Sequence, residues 1–353
     1  MKSNDNITLK LFYNWLLITF IMVFLMVIVG GLTRLTNSGL SITEWELFKG
    51  ILPPLNIDSW NKYFSLYKEI PQYYLVNSNM TLGEFKVIFY WEYFHRMLGR
   101  MIGLFFLLPL IYFVYKKKIN QKYLNICYLI LFLILIQGFV GWYMVESGLV
   151  NNITVSHYRL SLHLTIAFII ISLLFWNLLN IRKNTIKKKL TSNENSYYFY
   201  ILILLIFLQI ILGAFVSGLD AGKIYQTWPL MDYTYFPTDV AINDIKDYFD
   251  FNNHGLIQFY HRNIAYLIVA YVLLMGFFIF KYSMHRIIKP FLILFFFLFL
   301  QIILGIITLI SGLNIYLASA HQICSLRRTA GSLAPGKTAG PEPTIAIFLP
   351  VLF

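Results

Sequence analysis

Residues 12–33 have the sequence FYNWLLITFIMVFLMVIVGGLT, an apolar run without a single charge. A helix of about 20 apolar residues crosses the roughly 30 Å of hydrocarbon in a bilayer. Similar runs recur along the chain, which is 58% hydrophobic and 12% charged over 353 residues. This composition excludes ordinary soluble domains and predicts an all-α membrane protein. Seven spans are expected, near 12–33, 88–115, 124–146, 157–180, 198–219, 256–280 and 288–312.

An eighth apolar run begins near Ile315 and is interrupted at Arg327 and Arg328. The residues that follow, 326–353, contain prolines at 335, 341 and 343, which forbid a continuous helix. Their composition also differs from that of the preceding chain. We therefore predict an eighth helix that is truncated or altered, followed by an atypical tail.

The formal net charge of +12 arises from Lys and Arg residues at the ends of the apolar runs. Basic loops follow the second, fourth and sixth spans, whereas the loop 220–255 is acidic. The positive-inside rule places the basic loops and residues 1–11 in the cytoplasm. The pattern predicts a multi-pass protein of a bacterial inner membrane, with the lipid bilayer as a partner and no nucleic-acid partner. Cys127 and Cys324 form no CxxC pattern, so a disulfide framework or a zinc site lacks support.

The chain contains an internal repeat in which two halves of four spans have the same orientation. The repeated positions are Gly30, Gly39 and Trp45 with Gly213, Gly222 and Trp228, then His95 and Arg96 with His261 and Arg262, then Gln137 and Gly141 with Gln301 and Gly305. We expect two pseudo-symmetric four-helix transmembrane bundles, residues 12–190 and residues 191–325, that arose by duplication and fusion.

Four histidines lie within the expected spans, each about six or seven residues from its outer end. They are His95 and His163 in the first half and His261 and His321 in the second. Histidine is costly inside a membrane and marks a functional site there. Two imidazoles on facing helices can ligate the iron of a porphyrin from opposite sides, so the pattern predicts two hemes. Copper ligation and simple hydrogen bonding to a neighbouring helix remain as alternatives.

The other three histidines are weaker candidates. His157 is expected at the surface, His254 in an external loop and His285 in a cytoplasmic one. Arg96 and Arg262 each follow a candidate ligand directly. Either they pair with outward-pointing heme propionates or they reach toward lipid headgroups.

The two halves differ at one ionisable position. Glu92 lies one helical turn before His95, and the equivalent place before His261 holds Gln258. A carboxylate takes and gives protons, whereas an amide does not. This asymmetry favours chemistry in the first half and electron transfer in the second. A diheme b-type membrane cytochrome that only relays electrons is the alternative function, and a transporter is disfavoured because the helices are continuous.

Six motifs in order strongly resemble the heme A synthase family of the alphaproteobacterial and mitochondrial type. The resemblance covers about residues 12–324 and rests on residues 30–45, 84–103, 157–163, 213–232, 257–267 and 317–322. It implies a membrane oxidoreductase that converts the C8 methyl group of heme O to a formyl group by successive hydroxylations, giving heme A for terminal oxidases.

The resemblance also implies roles for individual residues. His95 and His163 would bind the substrate heme, with Glu92 as the essential acid. His261 and His321 would hold a resident heme b, which the altered eighth helix is expected to retain less well. Heme O synthase would be the functional partner, and a homo-oligomer is a further candidate assembly. The cysteine pair that marks the Gram-positive branch in an external loop is absent here.

Overall fold

The computed structural model describes residues 2–44, 49–149, 153–186 and 197–324. Within these ranges the chain is helical, and its one β-type interaction is an isolated bridge between Met231 and Thr234. The prediction of an all-α protein is confirmed. Trp45 and the tail 326–353, for which we made specific predictions, lie outside the described residues.

Seven of the described helices are long and apolar enough to cross a membrane, as the sequence predicts. They are α1 (Lys2–Leu35), α4 (Leu82–Lys116), α5 (Gln121–Glu146), α6 (His157–Ile186), α7 (Tyr197–Gly218), α8 (His254–Lys281) and α9 (His285–Ile310). The eighth apolar run forms α10 (Ile315–Cys324), which includes the last described residue.

Two short helices, α2 (Ile57–Lys68) and α3 (Pro71–Val76), lie between α1 and α4 and were not predicted. Their ends carry ordinary capping signals. The Asn56 side chain accepts a hydrogen bond from the Ser59 amide at the start of α2, and Pro71 opens α3. Thr81 and Glu84 form a capping box that starts α4 six residues before the expected position.

An aromatic cluster joins α2 to the N-terminal end of α4. Trp60, Phe64 and Tyr67 of α2 are buried against Phe85 and Phe89 of α4. The Phe64 and Phe85 rings stack with centroids 5.0 Å apart, and the Trp60 and Phe89 rings meet edge to face at 5.0 Å. Burial of these rings attaches α2 to α4, the helix that carries Glu92 and His95.

The chain divides into two compact units, residues 1–170 and residues 171–353. In the first unit α1 packs along α4, where Trp15 Nε1 donates a hydrogen bond to the Phe105 carbonyl at 2.9 Å. In the second unit α7 and α9 both pack against α8, and α10 packs against α9. The predicted bundles 12–190 and 191–325 stay a prediction.

Candidate functional site

The first histidine pair is formed by α4 and α6. The ring centroids of His95 and His163 are 6.4 Å apart. Two metal–nitrogen bonds of about 2 Å, with each nitrogen about 1 Å from its ring centre, would separate two axial imidazoles by roughly 6 Å between centroids. The spacing therefore fits one metal ion between the rings. Both residues are partly buried.

The second histidine pair is formed by α8 and α10, and two glutamines contact it. Gln209 Nε2 lies 3.3 Å from His261 Nε2, and Gln301 Nε2 lies 3.4 Å from His321 Nε2. His321 Nδ1 lies 3.1 Å from the Gln301 carbonyl oxygen. A backbone carbonyl in that position accepts a hydrogen bond from the Nδ1–H group and leaves Nε2 free to ligate. This is the usual outer-shell arrangement of a metal-bound histidine.

Each of the four imidazoles packs against a glycine of a neighbouring helix. A Cβ atom at that glycine would lie about 3 Å from the ring, closer than ordinary van der Waals contact. The pairs are Gly30 with His95 at 3.1 Å, Gly141 with His163 at 3.1 Å, Gly213 with His261 at 3.1 Å and Gly305 with His321 at 2.9 Å. All four glycines belong to the internal repeat, so the space they leave for the rings explains why these positions recur.

Several buried polar atoms next to the histidines have no hydrogen-bond partner in the part of the chain that the structure describes. They are Nδ1 of His163 and His261 and the amide oxygens of Gln137, Gln209 and Gln301. Unpaired buried polar atoms are rare in native proteins and indicate bound groups or ordered water at the site. Together with the ring spacing and the glycine contacts, they make the first pair suitable for a porphyrin iron, and the glycine contacts and unpaired atoms recur at the second pair.

Glu92 lies beside the first pair in a dense hydrogen-bond network. Its Oε1 accepts from Arg96 Nε at 3.0 Å and from an Arg96 terminal nitrogen at 2.5 Å. Its Oε2 accepts from the Ser41 hydroxyl at 2.7 Å and from the Ile42 amide at 2.9 Å. Only 3% of the Glu92 side chain and 11% of the Arg96 side chain are exposed. The carboxylate is therefore held as one partner of a buried ion pair.

The second half repeats this framework without the carboxylate. Arg96 donates to the Ile42 carbonyl at 2.8 Å, and Arg262 donates to the carbonyl of Tyr225, the equivalent residue, at 3.0 Å. The Gln258 amide donates to the same Tyr225 oxygen at 2.8 Å. Glu92 thus accepts a hydrogen bond from the segment that follows α1, whereas Gln258 donates one to the segment that follows α7.

Comparison with known proteins decides the family. The family model described as cytochrome oxidase assembly protein matches residues 13–327. The chain belongs to the cytochrome oxidase assembly protein family. It is 50% identical to a heme A synthase of Pelagibacter ubique over 92% of this chain and 96% of that protein. It is 41% identical to a heme A synthase of Rickettsia africae and 40% identical to one of Flavobacterium psychrophilum, each covering at least 90% of this chain and 94% of the relative. These findings confirm the resemblance drawn from the motifs.

For this family member, one prediction about the remaining histidines is wrong. His157 was expected at the surface, yet it is only 8% exposed. It begins α6, and its ring lies against that of Tyr158 with centroids 4.1 Å apart. His254 is partly buried and His285 is exposed. Among the described residues no group of three or more His, Cys, Asp or Glu side chains is arranged to hold a metal ion.

The sequence motifs identified Glu92 and Arg96 but not the residues that hold them. Ser41 and Ile42 belong to the segment after α1, within the motif 30–45. Nothing in that motif shows that they contact Glu92, about 50 residues later in the sequence. The internal repeat does carry a signal. The equivalent of Ser41 in the second half is Ile224, so the hydroxyl occurs only in the half that has the carboxylate.

Proposed function

We propose that the chain is a heme A synthase, an enzyme of heme A biosynthesis that oxidises the C8 methyl group of heme O to a formyl group by successive hydroxylations. The observation that carries the proposal is the buried Glu92 network beside the first histidine pair, since the equivalent residue of the second half is the amide Gln258. The identity of 50% to a relative named heme A synthase over most of both chains supports the same activity.

We infer a division of labour between the two histidine pairs. His95 and His163 hold the iron of the substrate heme O, because the carboxylate is next to them. His261 and His321 hold a heme b. When bound, this heme supplies electron transfer. The spacing of 6.4 Å between the first two rings and the orientation of His321 by the Gln301 carbonyl support these assignments.

Arg96 and Arg262 are proposed to bind heme propionates. Their hydrogen bonds hold the Arg96 guanidinium against Glu92 and the segment that follows α1, and the Arg262 guanidinium against the segment that follows α7. Arg96 and Arg100 also line a narrow cleft together with Ile42 and Tyr93. Glu44 lines the same cleft, so two guanidinium groups face one carboxylate there, and a propionate is the kind of ligand that they would bind.

Glu92 is proposed to handle protons in the first half. Oxidation of a C–H bond releases a proton as well as electrons, and a buried carboxylate next to the reacting group accepts it. Arg96 and the Ile42 amide stabilise the charged form of Glu92 and fix the direction of its two oxygens. Gln258 cannot perform this role, because an amide does not exchange protons in this way.

The proposed setting follows from the charge pattern and the chemistry. The seven apolar helices make the chain a multi-pass membrane protein, and the basic loops favour a bacterial inner membrane with a cytoplasmic N-terminus. Heme O synthase would supply the substrate. A homo-oligomeric state stays a prediction.

The test compares Glu92→Gln with Gln258→Ala in cells that also express a heme O synthase. Glu92→Gln should retain heme at both pairs and reduce heme A formation at least about a hundredfold, the lower range for loss of an acid–base group. Gln258→Ala should keep most activity. Equal heme A formation in Glu92→Gln and wild type would contradict the role of Glu92, whereas no heme A from wild type would contradict the enzyme and favour the electron-relaying cytochrome.

A further inference from the structure

Ser41 has two acceptors for a single hydroxyl proton. Its Oγ lies 2.7 Å from Glu92 Oε2 and 3.2 Å from the Ile88 carbonyl oxygen. The residue is 1% exposed, so bulk water does not compete for it. A serine hydroxyl donates one hydrogen bond and accepts up to two. It can therefore donate to Glu92, or donate to Ile88 while accepting from Glu92.

The other donors to Glu92 do not have this freedom. The Ile42 amide and the Arg96 guanidinium only donate, and each suits a charged carboxylate. If Oε2 carries a proton, that O–H needs an acceptor, because an unpaired buried polar group costs free energy. The Ser41 oxygen is the hydroxyl at hydrogen-bond distance from Oε2 that can accept.

The second half supplies an internal comparison. Ile224 occupies the position of Ser41 and has no hydroxyl, and Gln258 donates to the Tyr225 carbonyl instead of accepting. A hydroxyl with two acceptors is thus present where the neighbouring side chain can change its protonation and absent where it cannot. The two positions also differ in burial, because Ser41 is 1% exposed and Ile224 is 44% exposed.

We propose that Ser41 is a positioning residue that keeps Glu92 hydrogen-bonded both as a carboxylate and as a carboxylic acid, a role that rests on the proposed proton-handling function of Glu92. When Glu92 takes a proton at Oε2, Ser41 retains its own proton and turns it from Glu92 to the Ile88 carbonyl. Its oxygen then accepts the new O–H. No covalent bond of Ser41 changes, and the reverse rotation follows when Glu92 releases the proton.

Charged and titratable neighbours set the surroundings of this exchange. Arg96 faces Glu92 from its own helix, and Tyr67 on α2 is close enough to feel the charge of Glu92. The Tyr67 phenol donates to Gln72 and accepts from Asn77. Neither Arg96 nor the engaged phenol provides the reversible acceptor that Ser41 provides.

The experiment compares full-length wild type, Ser41→Ala, Ser41→Thr and Ile224→Ala, each expressed with a heme O synthase. Infrared bands of the Glu92 carboxyl group are assigned by their loss in Glu92→Gln. Ser41→Ala should shift these bands and reduce the rate of heme A formation about tenfold or more, since it removes a hydrogen bond to a charged group. Heme bound at both pairs should stay near the wild-type amount.

Ser41→Thr keeps the hydroxyl and should restore the bands and most of the rate. Ile224→Ala, at the equivalent position, should change neither. Unchanged Glu92 bands in Ser41→Ala, or equal losses in the alanine and threonine variants, would overturn the proposal by showing that the hydroxyl is not the active feature. Absence of heme A from wild type would overturn the proposed function instead, while the infrared comparison still decides the role of Ser41.

Discussion

Gly141 on α5 lies directly against the His163 ring, where a Cβ atom would be 3.1 Å from His163 Cε1. A Cβ at Gly138, three residues earlier on the same helix, would meet nothing within 4 Å. Gly141→Ala must therefore displace the imidazole by a few tenths of an ångström, whereas Gly138→Ala is tolerated. The two glycines form a matched pair for testing whether the position of His163 matters.

We predict that Gly141→Ala lowers the heme bound at the first pair several-fold and that Gly138→Ala leaves it unchanged. The measurement is the absorbance spectrum of the purified, heme O-loaded protein together with extraction of its hemes. The heme at the second pair provides an internal reference. Equal occupancy in the two variants would show that His163 does not need its present position.

Breaking the buried ion pair between Glu92 and Arg96 should cost far more stability than breaking an exposed pair. Arg96→Ala leaves a buried carboxylate without its cation, which typically costs about 3–5 kcal/mol. The exposed pair of Lys62 and Glu44, at 3.4 Å, serves as the control, and Lys62→Ala should cost less than about 1 kcal/mol. Denaturant unfolding of the detergent-purified variants measures both values. A small loss in Arg96→Ala would mean that Glu92 finds another partner.

Tyr67 of α2 takes part in a hydrogen-bond network that joins α2 and α3 to the segments containing Asn37 and Ile153. Its hydroxyl donates to Gln72 at 3.0 Å, and Gln72 in turn donates to the carbonyls of Asn37 and Ile153. Asn77 donates to the Tyr67 oxygen at 2.7 Å. Tyr67→Phe leaves these buried groups short of a partner and should destabilise the protein by about 1–3 kcal/mol in denaturant unfolding. Phe64→Leu, in the same aromatic cluster, controls for packing without touching the network.

The same residue predicts an alkaline transition. Burial raises the pKa of Tyr67 above its ordinary value, the Asn77 hydrogen bond opposes this, and the negative charge of Glu92 adds to it. A raised pKa means that the folded protein holds the phenol proton more tightly. The resulting stability is complete below a pH of about 10 and is lost as the pH rises through the folded-state value. Unfolding between neutral and alkaline pH should show this loss in wild type and a smaller loss in Tyr67→Phe, because the other tyrosines of the chain also titrate in the alkaline range.

Much of the membrane architecture could be predicted from the sequence. Long uncharged runs define helices by length alone, and the repeat located His95, His163, His261 and His321 on their helices. The sequence analysis missed the short helices α2 and α3, because a search for long apolar runs does not detect short amphipathic helices. Their signals were local, at Asn56 and Pro71, and required packing on α4 to become decisive.

The partners of the functional residues were the harder part. Glu92 was identified from its place one turn before His95, but its contacts with Ser41 and Ile42 join segments about 50 residues apart in the sequence. The spacing of residues along a helix describes that helix alone and does not show which segment between helices contacts it. Only the comparison of Ser41 with Ile224 in the repeat points to the hydroxyl.

Heme extraction from the wild-type chain tests the central claim most directly. The full chain is expressed with a heme O synthase and purified in mild detergent, and its non-covalent hemes are separated by chromatography and identified by mass. We predict heme b together with heme A or its hydroxylated precursor. Heme b with only unconverted heme O, under conditions in which the Pelagibacter ubique relative forms heme A, would contradict the assignment as a heme A synthase.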